Sequence, residues 1–201
     1  MPEPAYRGLV VDYGGVLTNP LRDTLDAFCE AERIDPRALR EAVLHPESPV
    51  AALETGSMPI AEFERVLGAR LGVPPEGLLA RMFRGFRSEP SMLDVLRAAR
   101  GHGWKTALLS NSWGNEYDRT GWDGVFDAVV ISGEVGMRKP DAEIYLHTAE
   151  LLGLQPRECV FVDDLSPNVR GAAAAGMVGI HHVDTATTAR ELEALTGLTF
   201  V

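Results

Sequence analysis

The stretch Cys159-Val160-Phe161-Val162-Asp163-Asp164-Leu165-Ser166-Pro167-Asn168 packs a strand, an acidic turn and a helix start into ten residues. The apolar run Cys159–Val162 suits a strand covered on both faces, as in a parallel sheet. Ser166-Pro167 reads as an N-cap followed by proline at the first helical position. Four more short apolar runs have the same character: Gly8–Val11, Thr106–Leu109, Ala128–Ile131 and Met177–Ile180. Helical patterns lie between them. Ser91-x-x-Asp94 reads as a capping box ahead of Met92, Val95, Leu96 and Ala99, with Gly101 closing the helix. Ile144, Tyr145, Thr148, Leu151 and Leu152 form a second stripe, and a last helical pattern runs from Thr187 to Leu195. Strand–helix alternation of this kind predicts an α/β fold with a doubly wound, Rossmann-like parallel sheet.

One stretch breaks the rhythm. From about Asn19 to Arg87 there is no convincing strand and there are about four helical patterns. One carries Leu21, Leu25, Phe28 and Cys29, another Ile60, Phe63, Leu67 and Leu71, and a third Leu78, Leu79, Met82 and Phe83. Pro20 and Pro90 stand at the edges. The expected organisation is a core of residues 1–18 and 88–201 with an all-helical cap, 19–87, inserted after the first strand. Such an insert sits above the carboxyl end of that strand, where open α/β sheets bind ligands, and can act as a lid.

Composition narrows the function. Hydrophobic residues make up 45% of the 201-residue chain and charged residues 24%, ordinary for a globular domain able to bury a core without disulfides. Nineteen Lys and Arg against 29 Asp and Glu give a net charge of −10, which argues against nucleic-acid binding and against anionic membrane surfaces. A small anionic substrate remains compatible, because a bound cation reverses the local sign. Cys29 and Cys159 are too few and too far apart for a disulfide framework or a cysteine zinc site, and are expected to be buried, reduced thiols. Met1-Pro2-Glu3-Pro4 lacks the basic and apolar regions of a signal peptide, and no apolar run approaches the length of a membrane span. The expectation is a cytoplasmic protein, with its oligomeric state left open.

Four clusters fall at the carboxyl ends of predicted strands. Asp12-Tyr13-Gly14-Gly15 follows the first, and its glycines allow close backbone approach to a ligand, or simply make a turn. Ser110-Asn111-Ser112 offers hydrogen-bond donors to an oxyanion, or caps a helix. Lys139, in Gly136-Met137-Arg138-Lys139-Pro140-Asp141, is a point charge suited to phosphate, or a solvated loop lysine. Asp163-Asp164 is the most informative: adjacent acids closing an apolar strand are hard to desolvate, and a hard cation such as Mg²⁺ resolves the repulsion. Otherwise one of them caps the helix and the other is solvated.

Taken in order, Asp12, Ser110, Lys139 and Asp163-Asp164 resemble the four motifs of the haloacid dehalogenase superfamily of Asp-nucleophile phosphotransferases. The likeness covers essentially the whole chain, and the helical insert is similar in position to that of the small-helical-cap subgroup. Thr106–Trp113, Val135–Pro140 and Phe161–Asp164 with Asn168 look most like the N-terminal phosphatase domain of soluble epoxide hydrolases and bacterial sugar-phosphate phosphatases. The resemblance implies that Asp12 attacks phosphorus to form an aspartyl-phosphate. It implies Mg²⁺ held by Asp12, the Gly14 carbonyl and Asp164, with Asp163 nearby or contacting the ion through water. It also implies that Ser110, the Asn111 backbone and Lys139 bind the phosphoryl group of a small phosphorylated metabolite.

The sequence departs from the family pattern at Gly14, where phosphatases of the superfamily usually carry an acid–base Asp. General acid–base catalysis contributes about 10²–10⁴-fold, so the substrate must have a good leaving group, another residue must supply the proton, or the protein binds phosphate ligands without efficient turnover. Dehalogenases of the superfamily also lack that Asp, but they lack the double acid seen here as well.

The remaining candidates read as structural. Adjacent strand residues face opposite ways, so His181-His182 does not suit one ion. Trp104, Trp113 and Trp122 form no stacking array, and Trp113, after the serine motif, suits a pocket wall or equally a core or cap contact. Arg84 and Arg87 flank Phe86 at the cap's end, as a solvated hinge or a second anion contact. Specificity is expected in the cap around Glu54-Thr55-Gly56-Ser57.

Overall fold

The computed structural model describes residues 6–45, 47–114 and 117–200; the Met1–Pro4 stretch read above for a signal peptide lies outside them. Five parallel strands form one sheet: β1 (Gly8–Val11), β2 (Lys105–Ser110), β3 (Ala128–Ile131), β4 (Cys159–Asp163) and β5 (Val178–His181), in the order β3-β2-β1-β4-β5. The predicted runs locate all five, with small shifts: β2 gains Lys105 and Ser110, and β5 begins after Met177. Side chains alternate between the sheet's faces. Leu9, Val11, Leu108, Val160 and Val162 pack on one face with α6 (Ser91–Gly101) and α10 (Thr185–Thr196). Val10, Ala107, Leu109 and Phe161 pack on the other with α8 (Ala142–Leu152) and α9 (Ser166–Ala174). The sheet is therefore doubly wound.

Strand order determines where a ligand binds. From β1 the chain moves outward through β2 and β3, then crosses back to β4 on β1's other side. The carboxyl ends of β1 and β4 thus flank the topological switch point, where a crevice opens.

Between β1 and α6 the described residues form five helices and no named strand: α1 (Leu21–Glu32), α2 (Pro36–Leu44), α3 (Val50–Glu54), α4 (Ile60–Leu71) and α5 (Leu78–Met82). They enclose their own apolar cluster, including Phe28, Leu39, Leu53, Phe63, Leu67 and Leu78. An antiparallel bridge between Thr18 and Ser88 closes the stem, and Asn19 Nδ2 donates to the Gly85 carbonyl at 3.2 Å. The sequence reading overlooked the start of α2, where the Asp35 side chain accepts the Arg37 N–H at 2.8 Å ahead of Pro36.

Three local expectations are corrected. Ser91 lies inside α6, and its hydroxyl bonds Glu89 and Thr185 while Asp94 pairs with Arg97, so no capping box forms. Leu165, not Ser166, is the N-cap of α9, because the Asp163 carboxylate takes the Leu165 N–H at 2.8 Å and starts the helix one residue early. Leu151 points outward, and Ala149 takes its place in the stripe. Both cysteines are buried free thiols, and burial pushes Cys159 up to about 12. No helix among the described residues is long and apolar enough to cross a membrane.

Candidate active site

Asp12 leaves β1 with its N–H bonded to the Val162 carbonyl at 2.9 Å, so register with β4 fixes it beside Asp163. Asp163 has no solvent exposure, and its oxygens accept from Leu165 N–H, Asn168 Nδ2 and Lys139 Nζ. Asn168 thus anchors Asp163, which leaves Asp164 as the acid of the pair that faces the open cavity.

Lys139, only 1% exposed, is the buried cation of this cluster. Its ammonium lies 2.7 Å from Asp12 Oδ1 and 2.7 Å from Asp163 Oδ2, and donates to the Leu109 carbonyl at 3.0 Å. An ammonium has three hydrogens, and all three are engaged. Asn111 fixes the lysine's backbone from both sides: its Oδ1 accepts the Lys139 N–H at 2.9 Å and its Nδ2 donates to the Lys139 carbonyl at 3.0 Å.

Burial and the neighbouring charges shift Asp12, Asp164 and Lys139 away from their ordinary values. Burial pushes Asp12 up to about 8 against the pull of Lys139, with Asp163 and Asp164 adding to the rise. Asp164 is pushed up to about 6, by burial and then by Asp163. Burial alone would lower Lys139, but Asp12 and Asp163 outweigh it and hold the ammonium above the ordinary lysine value. Lys139 is the settled charge, and the excess negative charge falls on Asp12 and Asp164.

That excess suits a hard cation. One oxygen from each of Asp12, Asp163 and Asp164 lies within 4.8 Å of the others, the only such group of metal-ligating side chains among the described residues. Carboxylate oxygens are the donors Mg²⁺ prefers. Gly15 makes the approach possible: its φ is +74°, and a Cβ there would overlap the Asp164 carboxylate. His181 Nε2 donates to the Asp164 carbonyl at 2.8 Å, while His182 is buried against Thr188, so the two histidines do diverge.

Above the acids lies a cavity of about 520 Å³, lined by Asp12, Gly14, Ser110, Asn111, Lys139 and Asp164 below and by the helical insert above. All the sequence-predicted site residues except Asp163 line it. Ser110 accepts a hydrogen bond from the Tyr117 hydroxyl at 3.1 Å. Glu54, from the end of α3, is 5% exposed and ties the insert to the core: Oε2 takes Arg138 Nε at 2.7 Å and Oε1 takes Trp113 Nε1 at 2.8 Å. The sequence reading missed this trio as a unit. Arg138 adjoins Lys139 and Trp113 follows the serine motif, but Glu54 lies 59 residues before Trp113, and only the fold joins them. Of the expected specificity loop, only Glu54 reaches the cavity. The Thr55 and Ser57 hydroxyls turn back to the carbonyls of Ala51 and Ala52.

The site is a switch-point crevice of an α/β fold in which three carboxyls cluster beside one buried ammonium. The sequence profile of the haloacid dehalogenase-like hydrolases matches residues 6–176, and the chain belongs to that family. It is 30% identical over 202 residues to a sesquiterpene phosphatase of Aspergillus oryzae, covering 96% of this chain and 97% of that one. It is 30% identical over 177 residues to a glyceraldehyde 3-phosphate phosphatase of Methanopyrus kandleri, covering 81% and 72%. It also matches bifunctional epoxide hydrolase 2 of Sus scrofa, of which it spans only 39%. Among solved structures, a haloacid dehalogenase family enzyme of Bacteroides thetaiotaomicron, in complex with magnesium and inorganic phosphate, superposes with a TM-score of 0.69 at 23% identity, covering 91% of this chain and 98% of that one. The protein is a haloacid dehalogenase-like hydrolase.

Proposed function

We propose that the protein hydrolyses small phosphate monoesters through an aspartyl-phosphate on Asp12, with Mg²⁺ held by Asp12, Asp164 and the Gly14 carbonyl, and that residues 19–87 cap a core formed by 1–18 and 88–201. The observation that carries this reading is the meeting of three carboxylates around one buried ammonium, beneath a covered cavity. The ion supplies positive charge to the phosphoryl oxygens. Asp12, oriented through Oδ1 by Lys139, attacks phosphorus as the ester's P–O bond breaks; water then cleaves the aspartyl-phosphate. Because Ser110 accepts from Tyr117, its own hydrogen is free to turn to a phosphoryl oxygen. Asn111 keeps Lys139 in place as the counter-charge.

The cavity wall favours an apolar alcohol group. Leu21, Leu25, Val50, Phe83, Phe86 and Trp113 line it. The insert's polar contributions among the described residues are His45, Ser48 and Glu54, and Glu54 is already bonded to Arg138 and Trp113. A polyol would leave hydroxyls unpartnered at about 1–3 kcal/mol each. The A. oryzae relative is named for a terpenoid and the M. kandleri relative for a triose; the wall supports the former kind of ester.

The test is phosphate release from an aryl phosphate with Mg²⁺. Chelation should abolish it, and Asp12→Asn should cost at least about 10⁴-fold. Activity that survives either change overturns the mechanism. Gly14 favours one other reading, a phosphate-binding module, which predicts saturable binding of such esters with no Mg²⁺-dependent turnover.

A further inference from the structure

Two cavities meet at one aromatic partition. The chamber above Asp12, about 520 Å³, and a second of about 640 Å³ share Tyr13, Phe83 and Phe86 as lining. The second chamber holds none of the clustered acids. Its own carboxylates are already engaged: Glu64 accepts the Leu79 N–H at 2.9 Å, and Asp118 accepts the Ser88 hydroxyl and the Thr120 N–H. What remains includes the apolar sides of Ile60, Leu79 and Ala80, with exposed Arg87 and Ser88. Each chamber is of the size that takes a small molecule, roughly 300–1,000 Å³.

Phe86 is the part of the partition whose side chain is held only by ring contacts. It lies outside any helix, in the return from the insert, and is half-buried. Its ring meets Tyr13 edge-on at 5.8 Å and Phe83 at 5.5 Å. Tyr13, by contrast, is fixed at the end of β1, with its hydroxyl accepting the Asp118 N–H at 3.0 Å and its ring 4.7 Å from Tyr117. The Phe86 ring also stands over the Asp12 loop: a Cβ on Gly14 would find Phe86 Cζ at 3.8 Å and no other heavy atom within 4 Å.

We propose that Phe86 sets the length of the apolar group the site accepts, by closing the reaction chamber off from the second one. With the ring in place, the substrate's apolar part ends above Asp12. Without it, the chambers join and a longer chain threads between the insert and the core. This rests on the phosphoester reading above.

The experiment uses the full chain with Mg²⁺ and two matched series from butyl to dodecyl: alkyl phosphates for kcat/KM and alkylphosphonates, which are not hydrolysed, for Kd by calorimetry. Phe86→Ala should raise the long-to-short ratio of kcat/KM by about tenfold or more, and Phe86→Trp should lower it. Phe86→Leu gives an intermediate profile and stands in if the alanine variant fails to fold. Turnover with the same chain-length profile in all variants overturns the inference and leaves the phosphatase reading intact. No turnover of alkyl phosphates in any form, with phosphonate affinities that still shift with residue 86, supports the partition, and the aryl phosphate assay above then decides the phosphatase reading separately.

Discussion

Lys139 and Phe86 line the same cavity. Lys139 is 1% exposed and bonded to three oxygens, whereas Phe86 is half-buried and rests edge-on against two rings. The floor is held by charge and hydrogen bonds in low dielectric, where each missing partner costs several kcal/mol. The wall is held by apolar contact, where a changed ring costs less and mainly alters shape. One region therefore sets the chemistry and the other sets what is admitted. The contrast is open to attack from the floor upward.

The largest effect belongs to Lys139. Lys139→Met leaves Asp12 and Asp163 buried without their cation, which should destabilise the metal-free protein by about 3–5 kcal/mol. The melting temperature should fall by about 6–20 °C. Asp12→Asn should do the reverse under the same conditions, because Asp12 is the crowded charge. Its folded-state carboxyl stands near 8 against an ordinary 3.8, so its contribution to stability is complete below about pH 4 and is lost as pH rises through 8. Asp164 behaves likewise through about 6. Melts in chelator from pH 4 to 8.5 should therefore fall with rising pH, less steeply in Asp12→Asn, and Mg²⁺ should restore the loss at the alkaline end. A rising or flat profile, or a Lys139→Met protein as stable as the parent, would break the account of the floor.

Gly14 is where floor and wall touch, and the next effect is catalytic. A Cβ at this position would meet only Phe86 Cζ beyond the chain neighbours, at ordinary contact distance, so the first atom of an Asp side chain fits without a clash. Gly14→Asp would introduce a carboxyl two residues from Asp12. If proton transfer to the departing alcohol limits turnover, Gly14→Asp should raise kcat on alkyl phosphates by up to about 10²-fold and leave aryl phosphates with acidic leaving groups nearly unchanged. A parent enzyme whose rate is already independent of leaving-group pKa would show that another group delivers the proton.

The same division explains what the sequence disclosed. The sheet was legible because a parallel strand buried on both faces needs a continuous apolar run, and Gly8–Val11 and Cys159–Val162 are such runs. The floor was legible because its residues follow those strands directly: Asp12 after β1, Ser110 at the end of β2, Asp163-Asp164 at the end of β4. The wall was legible only in pieces: Trp113 and Glu54 stood out singly, and both line the cavity. Glu54, Trp113 and Arg138 come from three separate segments, and their contact depends on how the insert docks, which no local pattern encodes. Phe86 looked like a hinge residue between two arginines, and its position over Gly14 follows only from the stem that joins Thr18 to Ser88. The capping box at Ser91 failed for the same reason: Thr185, from the far end of the chain, offers its hydroxyl a tertiary partner.

Glu54 and its neighbours set the smallest effects, and they discriminate most finely within the wall. Glu54→Ala strands the Trp113 indole N–H and the Arg138 guanidinium, and an unpartnered buried donor costs about 1–3 kcal/mol. Arg138 is partly exposed and can rehydrate, so the loss should sit toward the lower end, with KM for apolar esters rising as the insert loosens. Thr55→Ala and Ser57→Ala remove hydroxyls that bond only to each other and to α3 carbonyls. Their stability should stay within about 0.5 kcal/mol of the parent, and their ester preference should not move. Melts of the three variants, with kcat/KM on a short and a long alkyl phosphate, decide the matter. A preference that shifts in Thr55→Ala or Ser57→Ala but not in Glu54→Ala would relocate selection from the cavity wall to the surface turn.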